Sequence, residues 1–301
     1  MNLLQLFTKF QDNQQAIEYL EQIRWSKEII CVYCNSNKTC KHKEQNKTRW
    51  QCWNCKKSFS VTVGTIFHHS HVPLNKWFML IALMLNAKKG LSSLQASRDL
   101  GLRPMTTWSM MHRIRRAMAT DQAELLKGIV EMDECYIGGK PRKENKKDDD
   151  GNNLPPTNKR GRGTKKEAVV GAVERMGNVK VEQVSKIMLN AKGLLAFVRK
   201  NMDIEETLLV TDEYKAYNNM NKTIAHYSIN HSYEYAKGDI HTNTIESFWA
   251  ILKRGIIGQF HKVSKKYLQQ YLDEFEYRYN RRDIETKDVF NNLLVRATYG
   301  K

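Results

Sequence analysis

The stretch His241-Thr242-Asn243-Thr244-Ile245-Glu246-Ser247-Phe248-Trp249-Ala250-Ile251-Leu252-Lys253-Arg254 joins a helical pattern to candidate chemistry. Ile245, Phe248, Trp249 and Leu252 recur at steps of three and four and form one apolar face. Asn243, Thr244 or Ser247 supplies a helix cap. Glu246 and Lys253 lie seven positions apart, nearly two turns, so both project to one side. A carboxylate and an ammonium on one edge of a packed helix can hold a metal ion and a phosphate side by side.

Working outward, the preceding residues supply a sheet. Gly128–Lys140 reads as a strand begun by Ile129 and Val130 and ended by Gly138-Gly139. Asp133 lies inside it, where a charge is costly unless paired or metal-bound. Glu167–Glu174 and Val179–Val184 read as two more strands, Ala191–Met202 as a helix, and Thr207–Asp212 as a buried strand ending in an acid. Ala225–Ile229 is another strand. Ser264–Arg282 is a long helix with Leu268, Tyr271, Leu272, Phe275 and Tyr279 inward. This order makes an α/β unit. Its acids Asp133, Asp212 and Glu246 converge at one edge of such a sheet. Three carboxylates offering only oxygen suit Mg²⁺ or Mn²⁺ rather than zinc. Two such ions about 4 Å apart activate a water or 3′-hydroxyl and stabilise the leaving oxygen of a phosphodiester. Lys253, with Arg254 beside it, stands by the phosphate. Residues 141–166 are poor in apolar side chains and read as a flexible insertion, in which Asp148-Asp149-Asp150 is a solvated run.

The front of the chain is basic. Of the formal net charge of +17, residues 1–120 contribute +12 and the remaining residues +5. That bias argues for a polyanionic partner, most simply nucleic acid. Met1–Phe10 has no basic region followed by an apolar run, and Trp77–Leu85 is too short to cross a bilayer, so a cytosolic, nucleoid-associated protein with reduced cysteines is expected. Asn2–Ile23 carries helical spacing. Cys31-x-x-Cys34 and Cys52-x-x-Cys55, 17 residues apart, match a four-cysteine zinc ribbon. Its strands have too little apolar surface to fold alone, so Zn²⁺ replaces a core. Cys40 and His42 are spectators. Lys38, Lys41, Lys43, Lys47, Arg49, Lys56 and Lys57 crowd the module.

Val72–Asn86 is an apolar helix. Ser92 and Gln95 then have the spacing of a capping box, Gly101 ends a short helix, and Pro104 opens the next. That next helix carries Trp108, Met111, Ile114 and Met118 inward, with His112, Arg113, Arg115 and Arg116 around the rest. Two helices joined by a glycine turn, the second one basic, read as a helix-turn-helix whose Arg113, Arg115 and Arg116 face DNA.

Taken together, Cys31/Cys34/Cys52/Cys55, Asp133-Glu134-Cys135-Tyr136-Ile137-Gly138-Gly139-Lys140, Val210-Thr211-Asp212 and His241-Thr242-Asn243-Thr244-Ile245-Glu246 with Lys253 resemble an insertion-sequence transposase of the DDE class. The resemblance implies a ribonuclease H-like α/β catalytic domain, a mixed sheet flanked by helices, over 127–301. A helical lead (1–25), a zinc ribbon (26–66) and a helix-turn-helix module (72–120) precede it. It also implies Mg²⁺-dependent cleavage at the element's terminal inverted repeats and strand transfer into target DNA, by a homodimer or larger assembly without a membrane. The two ions would be held by Asp133, Asp212 and a third residue. Glu246 is favoured there by its charge and its six-residue gap to Lys253; Asn243 is the neutral alternative. Two other readings use the same residues: a DNA-binding regulator without catalysis, and a hydrolytic nuclease of the same fold.

Overall fold

The computed structural model describes residues 3–44, 47–119, 124–138, 163–164, 166–218, 220–229 and 241–299. The end of the Gly128–Lys140 motif (Gly139, Lys140), nearly all of the 141–166 insertion and the side chains of Lys43 and Lys47 lie outside the described residues. The chain forms two compact units, Met1–Ala119 with Arg281–Lys301, and Thr120–Asn280.

In the first unit α1 (Leu3–Lys9) and α2 (Asn13–Arg24) precede a small sheet of β1 (Thr39–Glu44), β2 (Lys47–Cys52) and β3 (Ser58–Phe59), paired antiparallel in that order. Helices α3 (Leu74–Asn86), α4 (Ser93–Leu100) and α5 (Pro104–Met118) follow. The cap of α4 is the expected one: Ser92 accepts from the Gln95 amide, and Gly101 ends the helix at φ +59°, a conformation that costs glycine little. A further helix, Thr286–Tyr299, packs on α2, α3 and α5 through Val289, Phe290, Leu293, Leu294 and Ala297. The catalytic domain expected over 127–301 would include this helix, whereas the contacts group it with the first unit. Its apolar residues are buried in the first unit, where Phe290 meets Phe78 edge to face at 5.9 Å between ring centres.

The second unit is built on a five-stranded sheet of β4 (Leu126–Ile137), β5 (Glu167–Glu174), β6 (Val179–Val184), β7 (Met202–Asp212) and β8 (Ala225–Ile229). Its order is β6-β5-β4-β7-β8. The β4–β5 and β5–β6 pairs are antiparallel; β4–β7 and β7–β8 are parallel. This mixed sheet, flanked by helices on both faces, is of the ribonuclease H-like class. α6 (Ala191–Asn201) covers one face, where Val130, Met132, Val170, Leu194, Phe197, Val198 and Tyr217 form one buried cluster. α7 (Asn243–Gly255) and α8 (Leu268–Tyr279) cover the other, with Val169, Val173, Ile245, Phe248, Trp249, Leu252, Leu272 and Phe275. Strand alternation therefore sends odd-numbered β4 residues toward α7 and even-numbered ones toward α6.

Polar side chains of α8 and of Asn280 just after it also bind the backbone of β6. Val179 N donates to Asn280 Oδ1 at 2.7 Å, Val181 N to Glu276 Oε2 at 3.0 Å and Gln183 N to Gln269 Oε1 at 2.7 Å. In return Asn280 Nδ2 and Gln269 Nε2 donate to the Val179 and Val181 carbonyls at 3.0 and 3.2 Å. Asp273 sits among these groups and accepts from Gln269 Nε2 at 2.8 Å. Burial pushes its carboxyl up from 3.8 to about 6, against the pull of that hydrogen bond, with Glu276 and Glu182 adding to the rise. A raised folded-state value means the stabilisation is full below the ordinary value and is lost as pH rises through about 6. Asp273→Asn is expected to flatten that decline, so its melting temperature relative to wild type should rise between pH 4.5 and pH 7 in paired thermal melts.

Candidate active site

The centre of the site is β4, the middle strand. Asp133 lies on its α7 face, and Glu134 points to the opposite face, where the Tyr217 hydroxyl donates to Glu134 Oε2 at 2.9 Å. The parallel register pairs Glu131 with Val210, so Asp133 and Asp212 stand two residues further along adjacent strands. The sheet thus brings together the two expected aspartates. Burial pushes the Asp133 carboxyl up to about 7; the charges of Glu134 and Asp212 add to this, while the Glu134 amide and the Trp249 indole, both donating to it, pull it down. Such a crowd of hard carboxylate oxygens fits a divalent cation of the magnesium type. Among the described residues, however, Asp133, Asp212 and Glu246 are not drawn into a cluster as tight as the cysteine group.

α7 is seated over this point by its largest side chain. Trp249 Nε1 donates to Asp133 Oδ2 at 3.0 Å. Its ring lies over Gly171, the residue of β5 paired with Asp133, and a Cβ at Gly171 would stand 2.5 Å from Trp249 Cη2. The glycine is required there because the indole occupies the space of a side chain. Glu246 is exposed one turn before Trp249 and its Oε1 accepts from Thr242 Oγ1 at 3.4 Å. Asn243 is exposed as the first residue of the helix. Lys253 and Arg254 are exposed in its last turn, and Lys253 lies near enough to pull down the Cys135 thiol that burial pushes up to about 12.

The helix cap differs from expectation. The capping position is Thr242, and its side chain makes no cap hydrogen bond. The acceptor comes from β4: Glu131 Oε2 accepts from the Thr244 and Ile245 amides at 2.8 and 3.0 Å, and Glu131 Oε1 from Thr244 Oγ1 at 2.9 Å. Neither Glu131, which caps the helix beside the site, nor Glu134, whose charge acts on Asp133 from the opposite face, is singled out by the sequence pattern. The available signal is their spacing, since Glu131, Asp133 and Glu134 all fall within one strand and such charges require partners.

The expected DNA-facing arginines of α5 divide three ways. Arg116 is exposed. Arg113 Nη1 donates to the Ile66 and His68 carbonyls at 2.9 and 2.8 Å and so ties down a loop. Arg115 is buried, only 1% exposed, which corrects its assignment to a DNA-facing surface; His112 is buried as well. The apolar pattern along α5 does not announce this burial; α4 and the helix Thr286–Tyr299 both pack on α5, and Arg296 Nε donates to the Ala117 carbonyl at 3.0 Å.

In the ribbon the four sulfurs of Cys31, Cys34, Cys52 and Cys55 lie within 4.8 Å of one another. Cys31–Cys55 and Cys34–Cys52 are each 3.6 Å apart. Tetrahedral zinc with bonds of about 2.3 Å requires sulfurs about 3.8 Å apart, so the cage fits a zinc ion. The amide of Cys55, then that of Asn54, helps hold the Cys52 thiol down to about 6, toward the thiolate that binds metal. Cys40 stands outside this group on β1.

The profile of the ISXO2-like transposase domain matches residues 125–280, more than half of the chain. The chain belongs to the ISXO2-like transposase family. A Halobacterium salinarum relative, described as an uncharacterized protein in transposable element ISH50, is 29% identical over 277 residues, covering 89% of this chain and 91% of its own. An uncharacterized transposase-like protein of Haemophilus influenzae is 27% identical over 106 residues, covering 35% of this chain and 85% of its own. Among solved structures, a Mos1 transposase paired-end complex with left transposon end is similar at a TM-score of 0.31 and 13% identity, over 74% of this chain and 80% of that one. No described helix is long and apolar enough to cross a membrane.

Two outcomes are expected. Gly171→Ala should lower stability by about 1–3 kcal/mol, read by chemical denaturation, because the added methyl displaces the Trp249 ring. Elemental analysis should find about one zinc per chain, and Cys34→Ser should lose it and expose the ribbon to protease.

Proposed function

We propose that this transposase binds the ends of its insertion element, cleaves them in a Mg²⁺-dependent reaction and transfers the freed strand into target DNA. The observation that carries this reading is the placement of Asp133 and Asp212 on adjacent parallel strands, each two residues beyond the Glu131–Val210 pair, with Asp133 held up to about 7 by burial and neighbouring carboxylates. When bound, the divalent ions supply an activated oxygen nucleophile and charge stabilisation at the phosphorus. Asp133 and Asp212 are the first two ligands. Glu246 is the third, by charge and by its place on the face of α7 that also carries Trp249, with Asn243 as the neutral alternative. Lys253, further along the same helix, neutralises phosphate charge and Arg254 extends that basic edge. Arg116, exposed on α5, contacts the DNA backbone, and the module of α4 and α5 acts as a helix-turn-helix. The pairing of two element ends requires at least a dimer on DNA. The basic balance of residues 1–120 supports the same partner.

The test is a strand-cleavage and joining assay with Mg²⁺ and a labelled duplex carrying the element end. Wild type is expected to cut and join. Asp133→Ala and Asp212→Ala should each lower the rate by at least about a hundredfold while keeping affinity for the end. Glu246→Ala should be inactive and Asn243→Ala active; the reverse pair of outcomes would move the third ligand to Asn243. Cutting without joining would favour a nuclease, and binding of the end without cutting by wild type would favour a regulator. Because Asp133 is protonated below about 7 in the absence of metal, Mg²⁺ affinity should rise with pH through that value and binding should release a proton, measured by calorimetry in buffers of different ionisation heat.

A further inference from the structure

Glu131 has no place in the metal site as described, yet it is among the most heavily bonded side chains in the second unit. It is fully buried, 0% exposed, on the central strand two residues before Asp133. A carboxylate in that position must be compensated from several directions. Arg175, just beyond the end of β5, donates through Nε to Glu131 Oε1 at 2.8 Å, and its own amide is fixed to the Ile129 carbonyl at 3.0 Å. Arg175 Nη2 donates to the His241 carbonyl at 2.9 Å. His241 Nδ1 lies 3.2 Å from Glu131 Oε1. The remaining bonds come from the first turn of α7, through the two amides and the Thr244 hydroxyl.

The arrangement does more than neutralise a charge. The Thr244 and Ile245 amides are the ones a local cap side chain would serve, and here a strand residue serves them instead. The positive end of the helix dipole meets a fixed anion. Glu131 and Asp133 both face α7, so the helix is pinned to β4 at two points: its first turn on Glu131, and Trp249 on Asp133. Two pins on one strand fix the rotation and the advance of the helix. Glu246 lies between those pins in sequence, and Asn243 lies immediately before the first.

The geometry points to Glu131 as a positioning residue that sets the third ligand of the catalytic metal site, by capping α7 from the strand that carries the first ligand. This inference rests on the metal-site reading above. Arg175 holds the Glu131 carboxylate in the orientation that receives the two amides, and Thr244 completes the joint from the helix side. Removing the anion leaves the apolar seat of α7 in place, because Ile245, Phe248, Trp249 and Leu252 remain buried. What it removes is the definition of the first turn, where the ligand stands.

The test uses the full zinc-loaded chain and Mn²⁺ as the probe, titrated by electron paramagnetic resonance, with thermal melts and element-end affinity measured in parallel. Glu131→Gln is expected to weaken Mn²⁺ binding by about tenfold or more at unchanged affinity for the DNA end. In a Glu246→Ala or an Asn243→Ala background, whichever removes the true ligand, the same change should give no further loss. A role in stability alone would lower the melting temperature and cost the same factor in every background, and that outcome overturns the proposal. So does wild-type Mn²⁺ affinity in Glu131→Gln. If Glu131→Gln does not fold, Thr244→Val removes only the hydroxyl donor at nearly constant volume, and its Mn²⁺ affinity must fall, with the same dependence on background, for the proposal to stand. If the wild type binds no Mn²⁺ in a manner that depends on Asp133 and Asp212, the metal-site reading itself fails and takes this inference with it. Intact wild-type binding with no response at Glu131 removes the inference alone.

Discussion

A flat aromatic ring lying over a strand that lacks a side chain holds the catalytic unit in register. Trp249 can reach Asp133 only because Gly171, paired with Asp133, leaves its place on that face open. From that contact follow the seat of α7 on the sheet, the direction of its exposed edge and the positions of Glu246 and Lys253 along it. The apolar residues Ile245, Phe248 and Leu252 supply the free energy of docking, since each buries a large hydrocarbon surface. The indole hydrogen bond supplies the specificity, because apolar packing alone tolerates a helix that slides or rolls.

The sheet sets the other half of the site through strand direction alone. β4 and β7 run parallel, so residues at equal distance along them come level, and acids in each reach the same end. The two antiparallel strands on the other side of β4 contribute Gly171 and the small and branched residues that let α7 approach. Chemistry and packing are thus divided between the two flanks of a single strand. Burial first, and then the neighbouring charges of Glu134 and Asp212, push the Asp133 carboxyl up, a cost that a cation bound there would offset.

Much of this was legible in the sequence, and the limits have physical causes. The apolar steps of α7, the strand bearing Asp133, the acid that closes β7 and the paired cysteines are short-range patterns, and each was found where expected. The acceptor that caps α7 was not, because Glu131 lies more than a hundred residues earlier in the chain and only the folded sheet brings it to Thr244. Gly171 read as one small residue in a hydrophobic run, since the ring that needs the space comes from another element. The helix Thr286–Tyr299 has a clear period in Val289, Phe290, Leu293, Leu294 and Ala297, but nothing local says which helices it will cover. The burial of Arg115 is likewise a tertiary outcome, because local pattern along α5 places that arginine in water.

The polar ladder that α8 lays along β6 has a consequence for how copies of this chain can meet. A sheet normally ends in a row of unpaired amides and carbonyls that will accept an extended segment from any neighbour, including a second copy. On β6 the amides of Val179, Val181 and Gln183 and the carbonyls of Val179 and Val181 are already taken by Gln269, Glu276 and Asn280. No continuous intermolecular sheet can grow from that side without first peeling away a packed helix. Copies of this chain are therefore protected on this flank against the runaway strand stacking that leads to fibres.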